Sequence, residues 1–282
     1  MIDFINYFRY FYYNYCISLV PFENDYLFQE WGISSILMDN FITFDYDYII
    51  SSQLSSKIIL MIGRGADKYK RFRLGIQSME YIIKDISDSE LKIISDLDHI
   101  IVLKNLVNNL NLHYNIKFPG FTLTPELHLQ NSSLHLFPTL SESFGLVLSE
   151  AKIYGIPNIL LGLDYVRISH QGTIIIYDDT PESIAKAAIK ILNNYKYRIK
   201  IGNEARISMK EFNNNHLIKK WIKLLLSIYN GNIYYDNLRL KNEQNFKFIL
   251  QTQIELLKMR TSSFENISIN NINNFSFLEQ MK

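Results

Sequence analysis

Leu134-His135-Leu136-Phe137-Pro138-Thr139-Leu140-Ser141-Glu142-Ser143-Phe144-Gly145-Leu146-Val147-Leu148-Ser149-Glu150 decides the fold class of this chain. Its opening residues, Leu134 to Phe137, form a short apolar run closed by Pro138 and read as a strand. From Leu146 the pattern is helical and stops at Gly155-Ile156-Pro157. A strand, a glycine-containing loop and a helix in that order present backbone N–H groups and a helix amino terminus to an open crevice. Such a place suits an anion, and a nucleoside diphosphate is the natural candidate. Glu142 and Glu150 flank it, and their carboxylates can accept hydrogen bonds from sugar hydroxyls.

The same alternation extends in both directions. Upstream, Ile58-Ile59-Leu60-Met61-Ile62-Gly63 is a continuous apolar run ended by glycine, which predicts a buried parallel strand. Helical spacing follows from Phe72 to Lys84 and from Ile100 to Leu112, separated by a strand at Leu91–Ile94. Ile116 to Phe118 reads as a strand, and Thr124-Pro125-Glu126 opens a short helix with proline in its first turn. Downstream come strands at Asn158–Leu161 and Thr173–Tyr177, then helices from Thr180 to Leu192, Tyr195 to Phe212 and His216 to Tyr229. This order predicts an α/β domain, a doubly wound parallel sheet of Rossmann-like type. Binding sites of that class lie at the carboxyl ends of the strands, where Gly63-Arg64 and Pro138 to Gly145 both emerge.

Glu142 and Glu150 match an E-x7-E pattern, and Gly63-Arg64 is followed, six residues after the arginine, by Lys70. With Phe118-Pro119-Gly120, Pro138, Gly155-Ile156-Pro157 and the later Gly202-Asn203-Glu204-Ala205-Arg206, this ordered set resembles the retaining family 4 glycosyltransferases of GT-B architecture. The resemblance covers roughly residues 55 to 230, corresponding to the carboxyl-terminal, nucleotide-sugar-binding half of such an enzyme. It implies three segments: an amino-terminal extension or linker at 1–54, the glycosyltransferase domain at 55–230, and a helical or partly disordered tail at 231–282. Within the tail, Phe246 to Met259 has helical spacing.

The resemblance assigns roles residue by residue. Arg64 and Lys70 would meet the donor diphosphate and stabilise the leaving nucleotide, a task for which GT-B enzymes need no metal. Glu142 would contact the donor sugar, and Glu150 the ribose hydroxyls. Gly63, Ser143, Phe144, Gly145 and Leu146 would line the donor site, the last four mostly through backbone N–H groups. Glu142, Arg64 and Lys70 are thus the implied catalytic set. No cofactor or metal is implied; the nucleotide sugar is a substrate. The competing bland reading makes the basic residues a solvated loop, the glutamates a loop and a helix-surface residue, and Gly145 a helix start. Phe118-Pro119-Gly120-Phe121 either frames the base pocket or forms a plain strand-to-turn corner.

Composition bounds the alternatives. The chain has 282 residues, is 48% hydrophobic and carries a formal net charge of +1, enough for one packed domain with appendages. That charge gives no argument for nucleic acid. The lone Cys16 cannot form an internal disulfide, which favours a reducing compartment, the cytoplasm or the cytoplasmic face of a membrane. No apolar run approaches the ~20 residues needed to span a bilayer. The aromatic stretch Phe4 to Val20 lacks a charged leader and reads as a segment packed on the domain, with an interfacial helix as the alternative. The six histidines lack zinc-site spacing, and there is no Gly-x-Ser-x-Gly elbow or Walker loop.

The chain departs from the family pattern in two places. Only about 55 residues precede the domain, too few for a second α/β domain of ~100 residues or more. Leu163-Asp164-Tyr165-Val166 stands where the family commonly has a glycine-rich segment with an acidic residue. Two readings follow. One is a retaining glycosyltransferase whose acceptor half is lost, reduced or carried by another chain. The other is a non-catalytic nucleotide-sugar-binding module or regulatory subunit.

Overall fold

The computed structural model describes residues 16–31, 35–44, 46–64, 67–96 and 100–229. Residues 4–15 of the aromatic stretch Phe4 to Val20, and the tail at 231–282 with its expected helix from Phe246 to Met259, lie outside the described residues. The chain divides into two compact units: Met1–Ile17, Glu23–Ile36 and Ser227–Lys282 form the first, and Ser18–Phe22 with Leu37–Leu226 the second.

The second unit contains a six-stranded sheet in which every pairing is parallel. Following the short pair β1 (Cys16–Ser18) and β2 (Ser35–Leu37), its strands are β3 (Ile58–Ile62), β4 (Glu90–Ile94), β5 (Ile116–Lys117), β6 (Leu134–Phe137), β7 (Asn158–Leu161) and β8 (Thr173–Ile176), in the spatial order β5-β4-β3-β6-β7-β8. The helices are α1 (Pro21–Trp31), α2 (Asp67–Lys70), α3 (Phe72–Asp85), α4 (Ile100–Asn109), α5 (Glu126–Gln130), α6 (Leu146–Ile153), α7 (Pro181–Leu192), α8 (Tyr195–Ser208) and α9 (Asn214–Tyr229). A 3-10 turn at Met209–Phe212 links the last two.

Both faces of the sheet are covered, as a doubly wound parallel sheet requires. Alternate strand residues divide between two cores, because side chains along a strand point to opposite faces. Ile59, Met61, Leu134, Leu136, Ile159 and Leu161 join the core under α3, α4 and α7. Leu60 joins Leu129, Ala151, Tyr154 and Ile156 on the other face, where Phe137 and Leu160 pack with Phe144, Leu148 and Met209.

The strand order reverses between β3 and β6, which pair directly through Ile59 with Leu134 and Leu60 with His135. A crevice opens at such a switch point. The two candidate motifs therefore leave neighbouring strands at that crevice.

Some elements carry little signal in the sequence. The segment before residue 55, expected as an extension or linker, contains α1 and the strands β1 and β2. Pro21 opens α1, which suits its fixed φ, but the aromatic-rich sequence gives no clean helical period. Trp31 ends that helix. The four-residue α2 is too short to leave a periodic signal.

Candidate functional site

The crevice is organised around Lys70 and Glu142. The Lys70 ammonium lies 3.3 Å from Glu142 Oε2, with both side chains about a quarter exposed. Two hydrogen bonds fix this approach. Tyr69 O accepts from the Leu140 backbone N–H at 3.0 Å and from Thr139 Oγ1 at 3.1 Å. The short helix bearing Lys70 is thereby tied to the loop bearing Glu142. The aliphatic stem of Lys70 packs beside Gly63, and its charge faces the Phe137 ring at 5.7 Å.

Arg64 is exposed, with its guanidinium over the Phe121 ring at 4.9 Å from the centroid. A cation over an aromatic face is held without losing its outward hydrogen-bond donors. Phe121 thus has a definite local role that its strand-to-turn position alone did not reveal. Arg71, next to Lys70, is ion-paired with Asp179.

Gly145 caps α6 in the left-handed region at φ 82°, where a Cβ is disfavoured. No side chain caps this helix, and its first turn carries no acidic residue. Its amino-terminal N–H groups therefore suit an anion, while just before the helix the Ser143 backbone N–H donates to Glu142 Oε1 at 3.3 Å. Ser143 and Leu146 are exposed, whereas the Phe144 side chain is buried against Phe212. Phe144 can meet a ligand only through its backbone.

Glu142 is also held by Tyr165, whose hydroxyl oxygen accepts the Glu142 backbone N–H at 3.2 Å. Tyr165 belongs to the divergent segment Leu163–Val166. Tyr177 OH donates to Asp164 Oδ2 within that segment at 3.2 Å, and just after it Lys152 Nζ donates to Ile168 O at 2.5 Å.

Glu150 is separated from this group by one turn of α6 and is only 9% exposed. Its Oε1 accepts from Thr43 Oγ1 at 2.7 Å. Burial raises its pKa above the usual carboxylate range, the Thr43 hydrogen bond opposes that shift, and the charge of Glu126 on α5 adds to it. The structure thus joins Gly63, Lys70, Glu142 and Gly145, sets Arg64 on Phe121, and turns Glu150 toward Thr43. The sequence singled out Phe121 only within the corner Phe118–Phe121 and gave no role to Tyr165 or Thr43. Tyr165 carried a signal in its place in the divergent segment, and Thr43 carried none.

Among the described residues no group of three or more His, Cys, Asp or Glu side chains could hold a metal ion. His135 is fully buried, and its Nδ1 donates to Asn158 Oδ1 at 2.8 Å. Asn158 Nδ2 in turn donates to Ile156 O, which fixes the amide and hence the histidine tautomer. Among the described residues no helix is long and apolar enough to cross a membrane.

Known proteins share this architecture. TarM of S. aureus, solved with fondaparinux, α-GlcNAc-glycerol and UDP, superposes with a TM-score of 0.68 at 20% identity, over 77% of this chain and 44% of that one. Anabaena HepE, solved with UDP and glucose, gives 0.66 at 15% identity, over 76% and 63%. Among curated sequences, an uncharacterised glycosyltransferase of Haemophilus influenzae is 22% identical over 178 residues, 62% of this chain and 50% of its own length. N-acetyl-α-D-glucosaminyl L-malate synthase of Bacillus anthracis is 28% identical over 190 residues, 66% of this chain and 47% of its own. The chain spans about half the length of these curated relatives. The sequence pattern of the family described as glycosyl transferases group 1 matches residues 48–208, and with the parallel sheet and its switch-point crevice this places the chain in that family.

Proposed function

We propose that the crevice binds a nucleotide sugar and that the chain is the donor half of a retaining, metal-independent glycosyltransferase. The observation that carries this reading is the Lys70–Glu142 pair, 3.3 Å apart beside the uncapped amino terminus of α6. Cation, carboxylate and free backbone N–H groups are what a diphosphate joined to a hydroxyl-rich sugar calls for. Arg64 and Lys70 take the diphosphate charge as the glycosidic bond breaks, and the α6 N–H groups share it. Glu142 accepts from the donor sugar, and Glu150 from the ribose. The leaving phosphate deprotonates the incoming hydroxyl on the same face, so no protein nucleophile is required. The acceptor is bound by a half outside the domain at 55–230.

UDP is the first base to test, because TarM and HepE were solved with it. Calorimetric titration of the purified chain with UDP, GDP and ADP is the direct experiment. Saturable binding of one of them, weakened by Arg64→Ala and by Glu150→Ala, is the expected result. A folded chain that binds none of the three refutes a donor site formed by this chain alone. Turnover of the matching nucleotide sugar then separates an enzyme from a binding module.

A further inference from the structure

Residues 39–44 run along the outside of α6 and are pinned at nearly every position. Asp39, 3% exposed, is ion-paired with Arg167. Phe41 stacks on Trp221 with centroids 6.2 Å apart. The Asn214 side-chain amide holds both backbone groups of Ile42, accepting its N–H and donating to its carbonyl, each at 3.1 Å. The next two residues then meet α6 in register. Thr43 donates to Glu150 at 2.7 Å, and Phe44 packs edge-on against Tyr154 with centroids 5.5 Å apart. Tyr154 caps the carboxyl end of α6 four residues after Glu150, with its N–H on Glu150 O, so adjacent residues of the segment meet one side of that last turn.

We propose that Thr43, which precedes the family-matched region, is a positioning residue for nucleotide binding that orients the Glu150 carboxylate toward the ribose hydroxyls. The proposal rests on the donor-site reading above. A buried carboxylate needs partners, and a freely rotating one would lose entropy on meeting a ligand. A hydroxyl fixed by the Asn214 clamp occupies Oε1 and sets the carboxylate plane. Oε2 and the remaining lone pairs are left to accept from the ligand. Tyr154, fully buried, does not compete, because its hydroxyl has no hydrogen-bond partner.

The groups facing Glu150 make the proposal testable by pH. Burial and the Glu126 charge, from α5, favour the neutral carboxyl, whereas the Thr43 hydroxyl favours the carboxylate that ribose requires. The isosteric Thr43→Val removes the donor and keeps the shape. The probe is whichever of UDP, GDP or ADP binds the full chain, together with its 2′,3′-dideoxy form, titrated across pH 5 to 8.

Thr43→Val is expected to weaken binding of the ribonucleotide roughly tenfold at neutral pH. It is expected to move the pH midpoint of binding upward and to leave binding of the dideoxy form unchanged. Thr43→Ser restores wild-type behaviour. Equal ribonucleotide affinity and equal pH midpoint in wild type and Thr43→Val overturn the role of Thr43 and leave the donor site standing. Equal losses for both nucleotides, or no rescue by serine, overturn it as well, because they reveal a packing effect. A folded wild-type chain that binds no nucleotide overturns the donor-site reading itself.

Discussion

Lys70 and Glu142 pair with each other, so on the proposed reading a diphosphate takes Lys70 from its partner. The pair is partly exposed, with about a quarter of each side chain accessible, so it is worth only ~0.2–1 kcal/mol. Glu142→Gln is therefore expected to tighten binding of the bare nucleoside diphosphate about two- to fivefold. The same variant should lower turnover, because the sugar loses its charged acceptor. Tighter nucleotide binding with weaker catalysis is a pairing that simple damage to the site does not produce. Calorimetry and turnover on one protein preparation check it, and unchanged affinity would show that Lys70 is not the diphosphate ligand. On the proposed reading, in which each sets positive charge opposite the leaving group, Arg64→Ala and Lys70→Ala should each lower turnover by roughly 10²–10³. Wild-type rates in both would remove these residues from the mechanism. Lys70 and Glu142 were legible in the sequence because they belong to motifs placed at strand ends. The partners of Arg64 and Glu150 were not. Phe121 and Thr43 lie 57 and 107 positions away from them, and no local pattern encodes such a contact.

At the scale of elements, Gly202-Asn203-Glu204-Ala205-Arg206 acquires a structural meaning. It lies on α8, which packs close to the end of α6. A Cβ at Gly202 would stand 2.2 Å from Gly155 O and 2.8 Å from Leu54 Cδ1, and the first of these is backbone that cannot rotate away. Arg206, one turn on, donates to Ile153 O at 2.6 Å, to Tyr46 O at 3.2 Å and to Ile49 O at 2.7 Å. One helix thus holds the end of α6 and the segment that carries Thr43. Gly202→Ala is expected to destabilise the fold by about 1–3 kcal/mol, the usual cost of overpacking. A lowered denaturant midpoint with an unchanged slope is the readout, and a wild-type midpoint would show that α8 can slide. The main strands and helices of this domain were legible because a buried parallel strand shows as a short continuous apolar run and an amphipathic helix carries its own period. The path of residues 39–54 was not, because its fixing partners are polar groups of Asn214, Arg167 and Arg206.

On the scale of the whole molecule, two buried basic groups give stability a common pH slope. Lys152 is 1% exposed, and burial depresses its pKa to about 7. The unfolded chain holds the lysine proton up to the ordinary value of 10.5, so between about pH 7 and 10 the unfolded state binds more protons. Stability from this group therefore rises as pH increases through that window, and the penalty is fully present below it. His135 behaves alike at lower pH. Burial holds its pKa at about 4 against an ordinary 6.5, so stability is lost as pH falls from 6.5 toward 4. Glu150, with its pKa raised, opposes the second slope near the acid end. Subtracting the melting profile of Lys152→Met from that of wild type isolates the lysine. Wild type should gain melting temperature relative to the variant between about pH 7 and 10. A flat difference profile would show that Lys152 keeps its proton in the folded state. The variant also frees Ile168 O, so the segment bearing Tyr165 should loosen. If that segment supports Glu142 as the geometry indicates, the variant's sugar-dependent turnover falls while its affinity for the bare nucleotide holds. Parallel loss of both would place the effect of Lys152 on α6 itself.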